Sequence, residues 1–213
     1  MSEALSTGYR YGTAAPAHTD AYLFPQIRRQ LSAIAWPPGA RRVFDLGCGN
    51  GATAVALAQE GYVVAGVDPS VEGIEIANRE HPELRLEVGS CYDDLATIFG
   101  RFPALVSLEV VEHVFYPRKY ARCVFDLLEP GGTALISTPY HGYWKNLALA
   151  VTGKMDAHFT ALWDYGHIKF WSRRTLTELL EEAGLRVDRF VRVGRIPALA
   201  KSMIAVAHRP ERA

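Results

Sequence analysis

Apolar positions near the start of the chain recur at Leu23, Ile27, Leu31 and Ile34, the i, i+4, i+8, i+11 stripe of an amphipathic helix, which predicts a helix over Asp20 to Ile34. After Pro37-Pro38-Gly39 the pattern changes. Short apolar runs at Arg42 to Leu46, Tyr62 to Val67, Leu84 to Val88, Ala104 to Leu108 and Gly132 to Ser137 predict strands. Between them lie helical stretches at Ala52 to Glu60, stopped by Gly61, at Val71 to Glu80 and at Pro117 to Leu128, and Pro130-Gly131-Gly132 opens the strand at Gly132 to Ser137. Strands alternating with helices of this length predict an α/β fold: a parallel sheet with helices on both faces. The rhythm is lost after Pro139 and returns with a helix from Arg173 to Ala183, stopped by Gly184. Two last strands, Val187 to Val193 and Ser202 to Ala207, would close the sheet as a hairpin. The expected organisation is an N-terminal helical cap over 1–38 and a domain over 39–213, with an insertion at 140–171 between two core elements. Insertions of that length usually carry function.

Composition narrows the classes. The 213 residues carry 23 Lys plus Arg against 23 Asp plus Glu, so the net charge is zero and there is no global field to gather nucleic acid or anionic lipid. With 49% apolar and 22% charged residues the chain is globular rather than disordered. Cys48, Cys91 and Cys123 are odd in number and far apart, which offers neither a disulfide framework nor a zinc ribbon. No signal-peptide pattern opens the sequence and no apolar run is long enough to span a bilayer, so the expectation is a cytoplasmic protein without a transmembrane segment.

The run Val43-Phe44-Asp45-Leu46-Gly47-Cys48-Gly49-Asn50-Gly51 puts three glycines directly after a strand, where the backbone can turn sharply and approach a ligand at a helix N-terminus. A second acid, Asp68, ends the next strand, where a carboxylate can bind both ribose hydroxyls or simply cap a helix. Asp45 beside the loop would repel a pyrophosphate but could hold an ammonium, which favours S-adenosylmethionine over a dinucleotide. At this point the sequence resembles the class I S-adenosylmethionine-dependent methyltransferases over most of residues 40–139, in the glycine loop, Asp68-Pro69-Ser70, Gly89-Ser90-Cys91-Tyr92 and Leu128-Glu129-Pro130-Gly131-Gly132. The resemblance implies a Rossmann-like, mainly parallel seven-stranded sheet with S-adenosylmethionine as cofactor. It implies cofactor contacts from Tyr11, Asp45, Gly47, Cys48, Gly49, Asp68, Pro69, Ser90, Cys91 and Leu108. An acid is common in the family where Ser90 stands.

After the fourth strand comes Glu109-Val110-Val111-Glu112-His113. The acids and the imidazole stand at i, i+3, i+4, so one helical turn would aim all three side chains the same way. Two carboxylates on one face repel unless a cation or a proton lies between them, which makes Glu109, Glu112 and His113 candidate ligands of magnesium, manganese or zinc. His113 as a metal-free general base is the other reading, and solvated loop acids a third. The cluster resembles the E-x-x-E-H motif of the ubiquinone-pathway O-methyltransferases and of the small-RNA 2′-O-methyltransferases. The second group carries a downstream histidine, matched here by His167-Ile168-Lys169-Phe170-Trp171-Ser172-Arg173, and this resemblance makes His167 a fourth ligand candidate. Both groups methylate a hydroxyl next to another oxygen, which a metal can chelate while lowering the hydroxyl's pKa.

The insertion is rich in aromatics: Tyr140, His141, Tyr143, Trp144, Phe159, Trp163, Tyr165, Phe170 and Trp171. They are suited to walling a small-molecule pocket or to packing the insertion onto the sheet. Trp144 to Val151 could lie as a short helix at a lipid surface, too short and too weakly basic for firm attachment. Tyr9-Arg10-Tyr11 and His18 are candidates to close over the cofactor, by resemblance to the family's lid. The leading expectation is O-methylation of a small hydroxylated metabolite, with Glu109, Glu112 and His113 catalytic. Methylation of RNA 3′ ends, along a track of Arg173, Arg174, Arg186, Arg189, Arg192 and Arg195, is an alternative, as is a non-catalytic S-adenosylmethionine-binding protein.

Overall fold

The protein is described by a computed structural model covering residues 11–36, 39, 41–159, 161–163 and 166–211. Its elements in chain order are α1 (Asp20–Ser32), β1 (Arg42–Leu46), α2 (Ala52–Gln59), β2 (Val63–Asp68), α3 (Val71–Glu80), β3 (Arg85–Val88), α4 (Leu95–Phe99) and β4 (Phe102–Ser107). They continue with α5 (Pro117–Leu127), β5 (Leu128–Pro139), α6 (Tyr143–Val151), α7 (Met155–Phe159), α8 (Arg173–Glu182), β6 (Arg186–Val193) and β7 (Ser202–His208). The strands form one seven-stranded sheet in the order β3-β2-β1-β4-β5-β7-β6. The first five strands run parallel, and β7 inserts antiparallel between β5 and β6.

Alternation along the strands divides the core into two layers. Phe44, Leu46, Leu105 and Ile136 pack against α5 and α8 through Tyr120, Val124, Leu127, Leu176 and Leu180. Val43, Val64, Val106 and Leu135 face the other way, against Leu23, Ile27 and Leu31 of α1, Leu57 of α2 and Ile74 of α3. The apolar stripe of α1 is thus spent on the sheet. Its helix ends at Ser32, two residues before the expected limit. Helix α3 starts where Ser70 accepts a hydrogen bond from Gly73 N, and α8 starts with a reciprocal Ser172–Thr175 capping box.

Three features depart from the sequence pattern. Helix α4 was not expected: it has five residues, too few to show a period, and begins at Asp94, whose side chain accepts from Thr97 N. Strand β5 starts at Leu128, through Pro130-Gly131-Gly132, with a register shift against β4 between Phe102 and Ala104. The insertion contains α6, at the short helix expected over Trp144 to Val151, and an unexpected α7, and neither buries a residue. No described helix is long and apolar enough to cross a membrane.

Candidate active site

The carboxyl ends of β1 and β2 build the first half of the site. Gly47 and Cys48 both donate their N–H to Val67 O, at 2.8 and 3.0 Å, so the glycine loop is hung on β2. Gly47 has φ +88°, and a Cβ there would run into the side chain of Val110. Asp68 receives Gly49 N on Oδ2 (3.0 Å) and Ser70 N on Oδ1 (2.8 Å), which fixes loop and helix start with one carboxylate. Each oxygen keeps a lone pair for a ribose hydroxyl. The helix cap proper is Ser70, not Asp68.

Asp45 is 1% exposed, and its Oδ2 has no hydrogen-bond partner among the described residues. Burial, then the charges of Asp68 and Asp20, push its carboxyl up to about 8. An orphaned buried carboxylate beside a glycine loop fits a ligand's ammonium group. Cys48 is buried and its thiol is pushed far up by burial and by Asp45. Pro69 and Leu108 are half-buried at the ends of β2 and β4. After β3, Ser90 N donates to Asp93 Oδ2 (2.7 Å) and Tyr92 N to Ser90 Oγ (3.2 Å), forming a turn that also holds the half-buried Cys91, whose thiol burial lifts to about 12. Tyr11 lies against the loop, whereas Tyr9 and Arg10 fall outside the described residues. His18, in the turn just before α1, instead meets Tyr22 of that helix, edge to face at 6.5 Å.

The second half of the site follows β4, and here one expectation is corrected. Glu109, Glu112 and His113 do not share a helical turn: residues 111–113 form a tight turn with His113 N on Val110 O, and Glu109 has a left-handed backbone, φ +55°. That conformation is strained for a residue with a side chain. It swings the Glu109 carboxylate toward β5 and β7, where Oε1 accepts from Ser137 Oγ (2.7 Å) and Oε2 from Ser202 Oγ (3.2 Å). Burial pushes this carboxyl up to about 7, against the opposing pull of those hydroxyls and of Lys145.

Glu112, His113 and His167 do come together, with ligand atoms within 4.8 Å of one another. Segment 167–169 is pinned there because Ile168 N and Lys169 N both donate to Glu112 O, at 2.9 and 3.0 Å, and Trp171 Nε1 donates to Val111 O at 3.0 Å. Glu112 is 1% exposed; among the described residues neither carboxylate oxygen accepts a hydrogen bond, and His167 Nε2 stands 4.0 Å from Oε1. Its carboxyl is raised well above the usual range by burial and then by Glu109. His167 is pushed down to about 4 by desolvation and by the facing His113, so its imidazole is neutral at pH 7. The two rings stand 4.9 Å apart, edge to face, and Trp163 packs against both. An unsatisfied carboxylate with two imidazoles, one held neutral, is a donor set that fits a divalent cation.

Beside this group His141, Asn146, Phe159, Phe170 and Ser172 line a cavity of about 520 Å³. Phe159 stacks on His141 and meets Phe170 edge to face at 4.9 Å. The insertion's aromatics divide: these rings face the cavity, Trp171 is buried, and Tyr143 and Trp144 point to solvent at 72% and 64% exposure. Tyr165 lies outside the described residues. Ser137, Ser202, Asn146 and Lys145 are the site residues that sequence reasoning missed. Each is a common surface-type residue with no local pattern to mark it.

The model of the methyltransferase-domain family matches residues 17–189, and the chain belongs to that family, the class I S-adenosylmethionine-dependent methyltransferases. It is similar to the ubiquinone biosynthesis O-methyltransferase of Dinoroseobacter shibae, at 33% identity over 151 residues covering 68% of this chain and 59% of that protein. To the mitochondrial ubiquinone biosynthesis O-methyltransferase of Mus musculus it is 29% identical over 192 residues, 84% of this chain and 52% of that one. The chain therefore spans somewhat over half the length of these curated relatives. Among solved structures, geranyl diphosphate methyltransferase in complex with GPP and sinefungin superposes with a TM-score of 0.67 at 19% identity, covering 87% of this chain and 77% of that one. The likeness there is one of fold.

Proposed function

We propose that this chain transfers a methyl group from S-adenosylmethionine to a hydroxyl of a small aromatic acceptor, with a divalent metal held by Glu112, His113 and His167. The observation that carries this reading is the buried Glu112 carboxylate, without a hydrogen bond among the described residues, facing two imidazoles next to an aromatic cavity. The cofactor supplies an electrophilic methyl on sulfur, and a metal on the three ligands would make an acceptor hydroxyl easier to deprotonate. The chain's residues do the rest. Asp45 binds the cofactor's ammonium and Asp68 its ribose, while Phe159, Phe170 and His141 orient an acceptor ring and exclude water. His113 and His167, when not engaged as ligands, are the bases within reach of the acceptor proton.

Glu109 sits outside this ligand group, and the reading assigns it the support of the loop that carries Glu112. RNA methylation is disfavoured, because Arg174 and Arg186 are paired with Glu178 and Asp188, and Arg189 donates to Gln30. Free Cys48, Cys91 and Cys123 support a reducing compartment such as the cytoplasm. The exposed Tyr143, Trp144, Leu147 and Val151 on α6 support a weak, reversible contact with a lipid surface.

The test is calorimetry of chelator-treated protein saturated with S-adenosylhomocysteine, titrated with manganese or zinc. Saturable metal binding that is lost in His113→Ala, together with methylation of a catechol panel, is the expected result. Cofactor binding without any metal heat would leave His113 as a metal-free base, and RNA binding that weakens with salt would reopen the nucleic-acid reading.

A further inference from the structure

Asn50 is the only residue of the glycine loop 47–51 whose side chain reaches back to the N-terminal segment by hydrogen bonds among the described residues. Its Nδ2 donates to Thr13 O at 2.8 Å and to Ala15 O at 2.9 Å, and Asn50 is 9% exposed. Its Oδ1 faces the other way and accepts from Ala52 N at 3.4 Å, at the start of α2. One amide thus ties loop, helix start and N-terminal segment together. Two N–H donors on so short a stem are what serving two carbonyls requires; aspartate would present oxygens to oxygens, and serine has a single donor.

The loop also provides a seat for the segment. A Cβ on Gly49 would stand 2.6 Å from Tyr11 Oη, and one on Gly73, in the first turn of α3, 3.0 Å from Tyr11 Cδ2. Tyr11 therefore occupies a slot that exists only because both positions lack a side chain. Residues 11–15 belong to no helix or strand, so the sheet does not hold them in place. They lie against the glycine loop that follows β1, beside Gly49 and Gly73, near the strand ends that carry Asp45 and Asp68.

We propose that Asn50 is a positioning residue that latches segment 11–15 across the cofactor loop and thereby sets how long the cofactor stays bound. The proposal rests on the cofactor binding at this glycine loop. A ligand that fixes the loop lowers the cost of ordering the segment, and the latched segment must open before the ligand leaves, so the two equilibria are linked reciprocally.

Stopped-flow measurement of S-adenosylhomocysteine release, paired with amide hydrogen exchange over residues 11–20, tests this on the full chain. Asn50→Asp keeps the shape and the acceptor for Ala52 N but removes both donors, while Asn50→Ser keeps one. The expected result is a release rate raised roughly ten- to hundredfold in Asn50→Asp, from the loss of two hydrogen bonds, with association little changed. Asn50→Ser falls between, and exchange over residues 13–15 accelerates in the same order. Wild-type release despite faster exchange would overturn the link between latch and cofactor, and unchanged exchange would overturn the latch itself. Absence of any S-adenosylhomocysteine binding by the wild-type chain would instead sink the cofactor placement on which the proposal rests. If Asn50→Asp does not fold, Asn50→Ser and Tyr11→Ala decide by the same two readouts.

Discussion

Asp45 carries a proton in the free protein at neutral pH, and cofactor binding is expected to expel it. The carboxyl is 1% exposed, one of its oxygens has no donor, and burial followed by the charges of Asp68 and Asp20 raises it to about 8. An ammonium seated against it favours the ionised form and lowers the same pKa in the complex. With a free-state value near 8, about 0.9 of the molecules are protonated at pH 7, so binding releases about 0.9 proton. The sign follows: affinity rises with pH, because below pH 8 the cofactor must first displace a proton. Between pH 6 and pH 8 the dissociation constant for S-adenosylhomocysteine should fall by about 50-fold and then level off. Calorimetry at pH 7 in buffers of different ionisation enthalpy gives the proton count as a slope. Asp45→Asn preserves the shape but cannot ionise, so its binding is weaker and independent of pH in this window. A zero slope with a flat affinity in the wild type would refute the placement of the ammonium. Proton release persisting in Asp45→Asn would move the titration to Glu109, which burial raises to about 7.

Glu112→Gln should abolish metal heat yet leave the melting temperature equal or higher by about 2–4 °C, since it removes a buried acid repelled by Glu109; a lower melting point would show that the carboxyl is a structural partner. Gly49→Ala, at φ +55° and in the path of Tyr11, should cost about 1–2 kcal/mol in denaturant unfolding and weaken cofactor binding, and a neutral result would mean that the segment moves aside freely. Trp171→Phe leaves the Val111 carbonyl without its donor and should cost about 1–3 kcal/mol while lowering metal affinity, because that bond holds segment 167–171 to the Glu112 turn; an unchanged metal titration would separate the two effects.

Much of the sheet was legible because β1, β2, β3, β5 and β6 are each closed by Gly, Pro or Asp, and β1 and α3 end at the expected residues. Short α4 carried no period, and Pro130-Gly131-Gly132 read as the opening of β5 although the strand starts at Leu128 and runs through them. The meeting of His167 with Glu112 and His113 was suggested by motif resemblance alone, since it depends on backbone bonds from Ile168 and Lys169 to a residue more than fifty positions earlier. The turn of Glu109 was not legible at all. Its direction is set by Ser137 and Ser202, on strands that local spacing cannot bring into view, and a helical repeat was the wrong ruler for a left-handed residue. The role of Asn50 was not legible, because the carbonyls it serves are those of an unpatterned segment.

The position of β7 bears on how the chain is made. It is the last strand of the sheet in sequence but lies inside it, between β5 and β6. During synthesis β5 therefore exists with an unpaired edge, its backbone groups from Thr133 to Pro139 open, until residues 202–208 have emerged. Until then that edge is a template on which another chain can pair. Ser202, the hydroxyl that holds Glu109, arrives on that same strand, so the functional loop is set only when the aggregation hazard ends.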